Sequence, residues 1–305
     1  MPGRIVVGTS SWTDPGFVEE WYPAGLPARD RLAFYAERFE GVEVNATWYA
    51  VPAQATVRRW VEQTPPGFTF DVKLHRLLSG HATTEKHLPR DLRPLARTDA
   101  RGRVLPDARL RDALVERFLQ ELAPLTEAGR LASLLLQLSP AFEPRKHALD
   151  ELAGVLDACA PLPVAIELRH KGWLDPPRRE DTLGWMEAHG AAFVAVDVPE
   201  GPAVTLLPNL DAVTRPDLAY LRLHGRAYDA WARGRSVAER FAYVYSPGEV
   251  EELAGRARGL AEQAEEVRVE VNTNRGGDAP VNARALREAL GQDPGPPVPP
   301  REPAG

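Results

Sequence analysis

Pro163-Val164-Ala165-Ile166-Glu167-Leu168-Arg169-His170 is the stretch that decides how this chain folds. Side chains of a strand alternate between its two faces, so Val164, Ile166 and Leu168 share one face and Ala165, Glu167 and Arg169 share the other. One face is apolar; the other ends in opposite charges. Val42-Glu43-Val44-Asn45, Phe70-Asp71-Val72-Lys73-Leu74-His75, Leu221-Arg222-Leu223-His224 and Val269-Glu270-Val271-Asn272 repeat the design. Interior strands of an open, doubly wound sheet are apolar on both faces. In a closed barrel the outer faces meet helices and the inner faces meet only one another, which accounts for polar groups on one side.

Read outward from that stretch, the chain alternates strands and helices. Strands are expected at 4–9, 42–47, 68–75, 131–138, 163–170, 191–197, 218–224 and 267–273. Between them, apolar residues at helical spacing (Leu32, Tyr35, Ala36 and Phe39; Leu110, Leu114, Phe118, Leu122 and Leu125) mark crossover helices. Further helices are read near 146–158, 179–189 and 248–264, and a last one over 281–290. Eight parallel strands with helical crossovers predict an α/β fold, a closed (β/α)8 TIM-like barrel forming one domain over residues 1–290. The segment 79–106, between strands three and four, is His-, Arg- and Pro-rich and too long for an ordinary connection, so it reads as a lid or a loose insertion. Residues 291–305 hold six prolines and three glycines and read as a disordered tail.

Composition narrows the partners. The 305 residues are 44% hydrophobic and 26% charged, an ordinary globular balance. With 37 Lys and Arg against 43 Asp and Glu, the net charge of −6 provides no global basic field and does not favour nucleic acid or an anionic membrane. The single cysteine, Cys159, excludes an internal disulfide and a Cys-rich metal site. No apolar run approaches 18 residues and no signal-peptide core follows Met1, so a cytoplasmic location is expected.

The residues Gly8-Thr9-Ser10-Ser11-Trp12, Val42 through Tyr49, Phe70-Asp71-Val72-Lys73, Leu135 through Pro140, Ile166 through His170, Arg222 through Arg226 and Asn272-Thr273-Asn274 resemble the YecE-like family, domain of unknown function 72. These segments span almost the whole chain apart from its tail. The resemblance implies a TIM-like barrel and fixes no chemistry. Ser79-Gly80-His81 stands where the family usually has Thr-His, and the 82–106 segment is longer than usual.

Reacting groups of such barrels sit at the C-terminal strand ends. Aligning those ends predicts an upper inward ring of Asn45, Lys73 or His75, Gln137, Arg169, Asp197, His224 and Asn272. Glu43, Asp71, Glu167, Arg222 and Glu270 form a second ring below it. An ion network that merely fills the barrel is the bland alternative, set against the cost of burying charges. Lys73, Arg169 and Arg222 are the expected anion holders, the guanidinium because its planar fork grips carboxylate or phosphate at two points. Asn274-Arg275-Gly276-Gly277-Asp278 and Gly225-Arg226, after strands eight and seven, read as a phosphate-binding pair of loops. Glu43, Asn45, Asn272, Asn274 and Arg226 join the substrate-binding candidates, with Trp12, Tyr49 and Trp173 as flat surfaces.

His224 with Glu167 or Glu270 is the expected proton-transfer group; His75 and His81 are secondary. Lys73 is also a candidate amine nucleophile, although the flanking acids Asp71 and Glu43 argue for its charged form. No cofactor is expected. His75, Glu167, Asp197, His224 and Glu270 leave a divalent metal open, without any His-x-His or His-Glu-x-x-His spacing to support it. The leading expectation is a hydrolase or related enzyme acting on a phosphate-bearing or other anionic substrate. A metal-dependent nuclease is one rival, and a binding module using Tyr228, Tyr243 and Tyr245 on its rim is another. Oligomeric state is not read.

Overall fold

The computed structural model describes residues 1–299 apart from Asn274, with the backbone alone for Val237 and Ala238. Its strands are β1 (Arg4–Thr9), β2 (Gly41–Val44), β3 (Thr69–Lys73), β4 (Leu131–Gln137), β5 (Val164–Glu167), β6 (Ala191–Asp197), β7 (Ala219–Leu223) and β8 (Glu266–Val271). All ladder pairs are parallel and follow the order β1-β8-β7-β6-β5-β4-β3-β2, which bends the sheet into a nearly closed barrel. The expected eight strands are all present, several of them shorter by one to three residues at their ends.

The helices are α1 (Arg31–Ala36), α2 (Gln54–Glu62), α3 (Ala108–Glu127), α4 (Ala153–Cys159), α5 (Pro176–Ala188), α6 (Tyr228–Arg233), α7 (Val237–Arg240), α8 (Pro247–Ala261) and α9 (Asp278–Ala289). The α3 helix starts where the Asp107 side chain accepts the Leu110 N–H at 3.1 Å. Its Leu110, Leu114, Phe118, Leu122 and Leu125 form the buried stripe that the spacing predicted. Ser246 and Glu249 cap α8 reciprocally, with Pro247 at its first position. The helix expected at 146–158 is split, a 3-10 turn at Leu149–Leu152 running into α4. Among the described residues no helix is long and apolar enough to cross a membrane.

Ladder register decides which side chains enter the barrel, because paired residues of parallel strands share a face. Glu43 pairs with Asp71, Asp71 with Ser133, Gln137 with Glu167, and Arg222 with Glu270, so these point inward together. Val194 pairs with Tyr220 and Val196 with Arg222, which turns Asp197 outward. The upper ring therefore lacks Asp197. Every residue of β6 is buried, so the strand carries no alternation from which its parity can be read.

Between β1 and β2 the barrel closes without ladder pairing among the described residues, and Tyr35 of α1 bridges the seam. Its hydroxyl accepts the Thr9 N–H at 2.9 Å and donates to the Gly41 carbonyl oxygen at 3.2 Å. The strands come so close that a methyl group on Gly8 would lie 2.5 Å from that oxygen. Tyr35→Phe removes the bridge and leaves a buried N–H and C=O behind, at a cost of about 1–3 kcal/mol. Urea denaturation checks this, and an unchanged midpoint would mean that the seam is held otherwise.

The 79–106 segment is a packed loop. Leu88, Leu92 and Val104 are buried, Thr98 bridges to Val104, and the Val104 N–H donates to the Thr83 carbonyl at 2.9 Å. Of the two expectations, a lid or a loose insertion, the loose insertion gives way to an ordered loop, because three spaced apolar residues give it a small core of its own. Of the expected tail, residues 300–305 lie outside the described residues. Over 291–299 there is neither helix nor strand, but Arg287 Nε donates to the Asp293 carbonyl at 2.7 Å and Val298 packs on the core.

Candidate functional site

A cavity of about 710 Å³ opens at the C-terminal end of the strands, where the chain's polar inner faces run out. Lys73 from β3, Gln137 from β4 and Arg222 from β7 line its floor, with Asn45, Arg169 and Asn272 from just beyond β2, β5 and β8. Trp48, Tyr49, His81, Trp231 and Phe241 form an aromatic wall, and Asp14 and Arg240 reach the rim. Of these, His81 is a secondary candidate of the sequence; Asp14, Arg240 and Phe241 were missed, since they lie on loops and on the short α7, which no strand periodicity marks.

At the base of that floor, Arg222 is almost wholly buried between two acids. Its Nε and Nη2 grip Glu43 at 2.9 and 2.7 Å, and its Nη1 binds Glu167. Tyr220 donates to Glu43 at 3.0 Å. Glu167 also accepts from Gln137 Nε2 at 2.8 Å and from Arg169 Nη1 at 3.1 Å. Burial alone would raise the Glu167 carboxyl, but Arg222, aided by His224 and Arg169, outweighs it and holds the group well below the carboxylate range.

His224 lies 3.4 Å from Glu167 through its Nε2, near enough for attraction though not aligned as a hydrogen bond. On its other side Asn272 Nδ2 donates to Nδ1 at 2.9 Å, which places the imidazole proton on Nε2, toward Glu167. Burial lowers the His224 pKa while Glu167 pulls the other way. The ring is thus a neutral, oriented partner of a charged acid.

Lys73 is placed differently from expectation. Asp71 and Glu43, expected to stabilise its charge, make their hydrogen bonds elsewhere, Asp71 with Arg268 and Ser133, Glu43 with Arg222 and Tyr220, although the Glu43 charge, with that of Glu167, still favours the ammonium as expected. The Lys73 amine donates to Gln137 Oε1 at 2.7 Å and lies 5.5 Å from the Trp48 ring centroid. Burial, reinforced by Arg222, lowers its pKa to about 7.

Several expected residues lie away from this cavity. Glu270 sits a layer below, with neither oxygen hydrogen-bonded; burial and the Asp71 charge push its carboxyl well up, while Arg268, 3.9 Å away, opposes the rise. Beside it is Arg268, which the sequence reading missed although it shares the parity of Glu270 and Asn272. Its Nε and Nη2 meet Asp71 Oδ2 at 2.7 and 2.5 Å. Arg226 turns to the outer shell, where Asp197 and Glu252 neutralise it and Tyr245 donates to Asp197 at 2.8 Å. Tyr245 is therefore core, not rim, and Tyr243 donates to Glu249 at 2.6 Å.

Trp12 packs edge-on against Trp60, and Trp173 stacks on Phe142 while donating to its carbonyl at 2.7 Å. His75 is buried under the 79–106 loop against the His87 carbonyl at 3.1 Å. The Gly-Gly turn is already served by an internal anion: Gly277 N–H points at Glu20 Oε2, 3.4 Å away, and Gly276, at φ 52°, leaves room where a methyl would overlap that carboxylate. The phosphate site expected on loops seven and eight is thus occupied by Glu20 and lacks Arg226. Asn274 lies outside the described residues. His75, Asp197 and Glu270 do not join Glu167 and His224, and among the described residues no three His, Cys, Asp or Glu side chains converge to hold a metal ion.

The family model described as "Protein of unknown function DUF72" matches residues 6–304. The chain belongs to the DUF72 family. It is 28% identical to the UPF0759 protein YunF of Bacillus subtilis over 94% of each chain. With the UPF0759 protein YecE of Escherichia coli it shares 30% identity over 59% of its own length and 53% of that protein's. A DUF72 family protein from Thermotoga maritima superposes with a TM-score of 0.75 at 28% identity, over 95% of this chain and all of that one. The DUF72 barrel seen here is thus shared with a solved structure, and its cavity is described by this chain's own residues.

Proposed function

We propose that this DUF72 barrel is an enzyme that takes a small anionic substrate into the cavity at its C-terminal mouth for hydrolytic or related acid–base cleavage. One observation carries the reading. Lys73, Arg169 and Arg222 converge on the floor with Glu43 and Glu167 beneath it, and Arg240 and Asp14 stand at the rim, so among the described residues four basic groups face three acids. Arg169 retains binding capacity, since it lines the cavity and, among the described residues, only its Nη1 is hydrogen-bonded, to Glu167. An anion bridging its remaining N–H groups and Lys73 would use that capacity. Glu167, ionised beneath the floor with the neutral His224 behind it, and Asp14 on the cavity itself are the carboxyl groups available for proton transfer.

The test is a thermal-shift series with inorganic phosphate and lactate against a neutral polyol. Both anions raise the melting temperature of the wild type. Arg169→Ala, which leaves Glu167 paired with Arg222, weakens their apparent affinity roughly 10- to 100-fold, the worth of one charged hydrogen bond. Equal stabilisation of the two proteins would remove Arg169 from the site, and no shift in either would remove the anion.

A further inference from the structure

We propose that Lys73 is a nucleophile, and that its amine captures the carbonyl carbon of a small oxo acid as an imine. The proposal rests on the anion-binding reading above and names its substrate class. Three features of the site lead to it. The amine lines the cavity, where a reacting atom can approach it. Among the described residues no carboxylate is paired with it, its neighbours Asp71 and Glu43 each being committed to an arginine. Its one hydrogen bond goes to the neutral Gln137 Oε1, which orients the nitrogen without holding its charge. A buried amine near other cations loses its proton readily, in line with its lowered pKa.

The surroundings fit an oxo acid in particular. Arg169, on the same floor, can grip a carboxylate, which would present the adjacent carbonyl carbon to Lys73. The nitrogen lone pair forms the C–N bond while the C=O π pair moves to oxygen. The nitrogen gives up a proton and the oxygen gains one, yielding a carbinolamine. Protonation of its hydroxyl and loss of water then leave a C=N bond whose nitrogen still carries a proton; with that proton returned to the acid that supplied one, one amine and one carbonyl give one imine and one water, with no oxidation or reduction. Asp14, at the rim of the same cavity, is the lining carboxyl that could supply that proton, and burial pushes it above the usual range. Once protonated, the imine is an electron sink for a bond next to the former carbonyl carbon.

Incubating the protein with pyruvate and sodium cyanoborohydride, followed by intact-mass measurement and peptide mapping, tests this. At pH 7 an amine of pKa about 7 has a neutral fraction about a thousandfold that of an ordinary surface lysine. One adduct is therefore expected on Lys73 of the wild type, its rate levelling off above pH about 7. In Lys73→Arg the adduct is expected to vanish while its ligand-free melting temperature and circular dichroism match the wild type, which shows the variant folded. Label spread over Lys86, Lys146 and Lys171 in both proteins, with lactate still stabilising the wild type, overturns the imine and leaves the anion site standing. Neither lactate stabilisation nor a Lys73 adduct overturns both.

Discussion

Arg222→Met is expected to cost about 3–5 kcal/mol of stability at neutral pH, since it leaves two buried acids without their shared cation. Arg222, Glu43 and Glu167 are each at most 1% exposed, so water cannot replace the lost partner. Glu43 would keep only the Tyr220 hydroxyl, whereas Glu167 would keep Gln137 and Arg169. The two acids are thus unequally stranded. Arg222→Met/Glu43→Leu is accordingly expected to recover part of the loss, because the pair is then replaced by apolar groups and the remaining acid has partners.

The pH dependence has a definite sign. Glu167 is held below its ordinary value in the folded protein, so it contributes stability above the unfolded pKa of about 4.3, and that contribution is lost as pH falls through the folded value. Removing Arg222 removes much of this contribution. The gap between wild type and variant should be widest at neutral pH and narrow below about pH 4. Guanidinium denaturation across that range measures it; a neutral-pH loss under about 1 kcal/mol would mean that the acids had found water.

Arg268→Met is expected to be nearly as damaging, again about 3–5 kcal/mol at neutral pH. Arg268 is wholly buried, and it meets Asp71 through two nitrogens, Thr69 Oγ1 at 2.8 Å and Glu266 Oε1 at 3.3 Å. Without it Asp71 and Glu270 share one dry layer with no counter-ion. Burial already raises both carboxyls, and Arg268 opposes the rise. In the variant both rise further, so the stability they contribute is present at low pH and lost as pH increases. The deficit should therefore shrink on acidification and grow toward pH 8. Urea midpoints at acid and alkaline pH decide it, and a deficit independent of pH would exclude these acids as its source.

The fold was legible because its signal is repeated. Each of five strands carries the same greasy and charged faces, and the eight strands stand apart by crossovers, so an error at any one leaves the barrel intact. The site was legible only where that alternation persists. Asn45, Lys73, Gln137, Arg169 and Asn272 lie on inward parity and reach the cavity as expected. Asp197 was misplaced because β6 is buried on both faces. Arg226, Trp12 and Trp173 follow their strands into loops, where period two no longer governs direction. Which acid neutralises which cation was not legible at all: Lys73 stands closer in sequence to Asp71 than Arg268 does, yet Arg268 takes that acid from across the barrel.

The Tyr35 bridge gives this cylinder an unusual dependence. Seven of its joints are made by strand backbones and would form wherever neighbouring strands meet in register. The eighth is made by side chains: Asn45 Nδ2 donates to the Ser10 carbonyl at 2.6 Å, and below it stands a phenol carried on a six-residue helix, seated among Trp21, Phe39 and Phe68. Closure therefore depends in part on aromatic packing outside the sheet. The barrel is fastened by its own outer layer, and whatever loosens that cluster unlatches the wall beside Ser10 and Asn45, at the rim of the cavity.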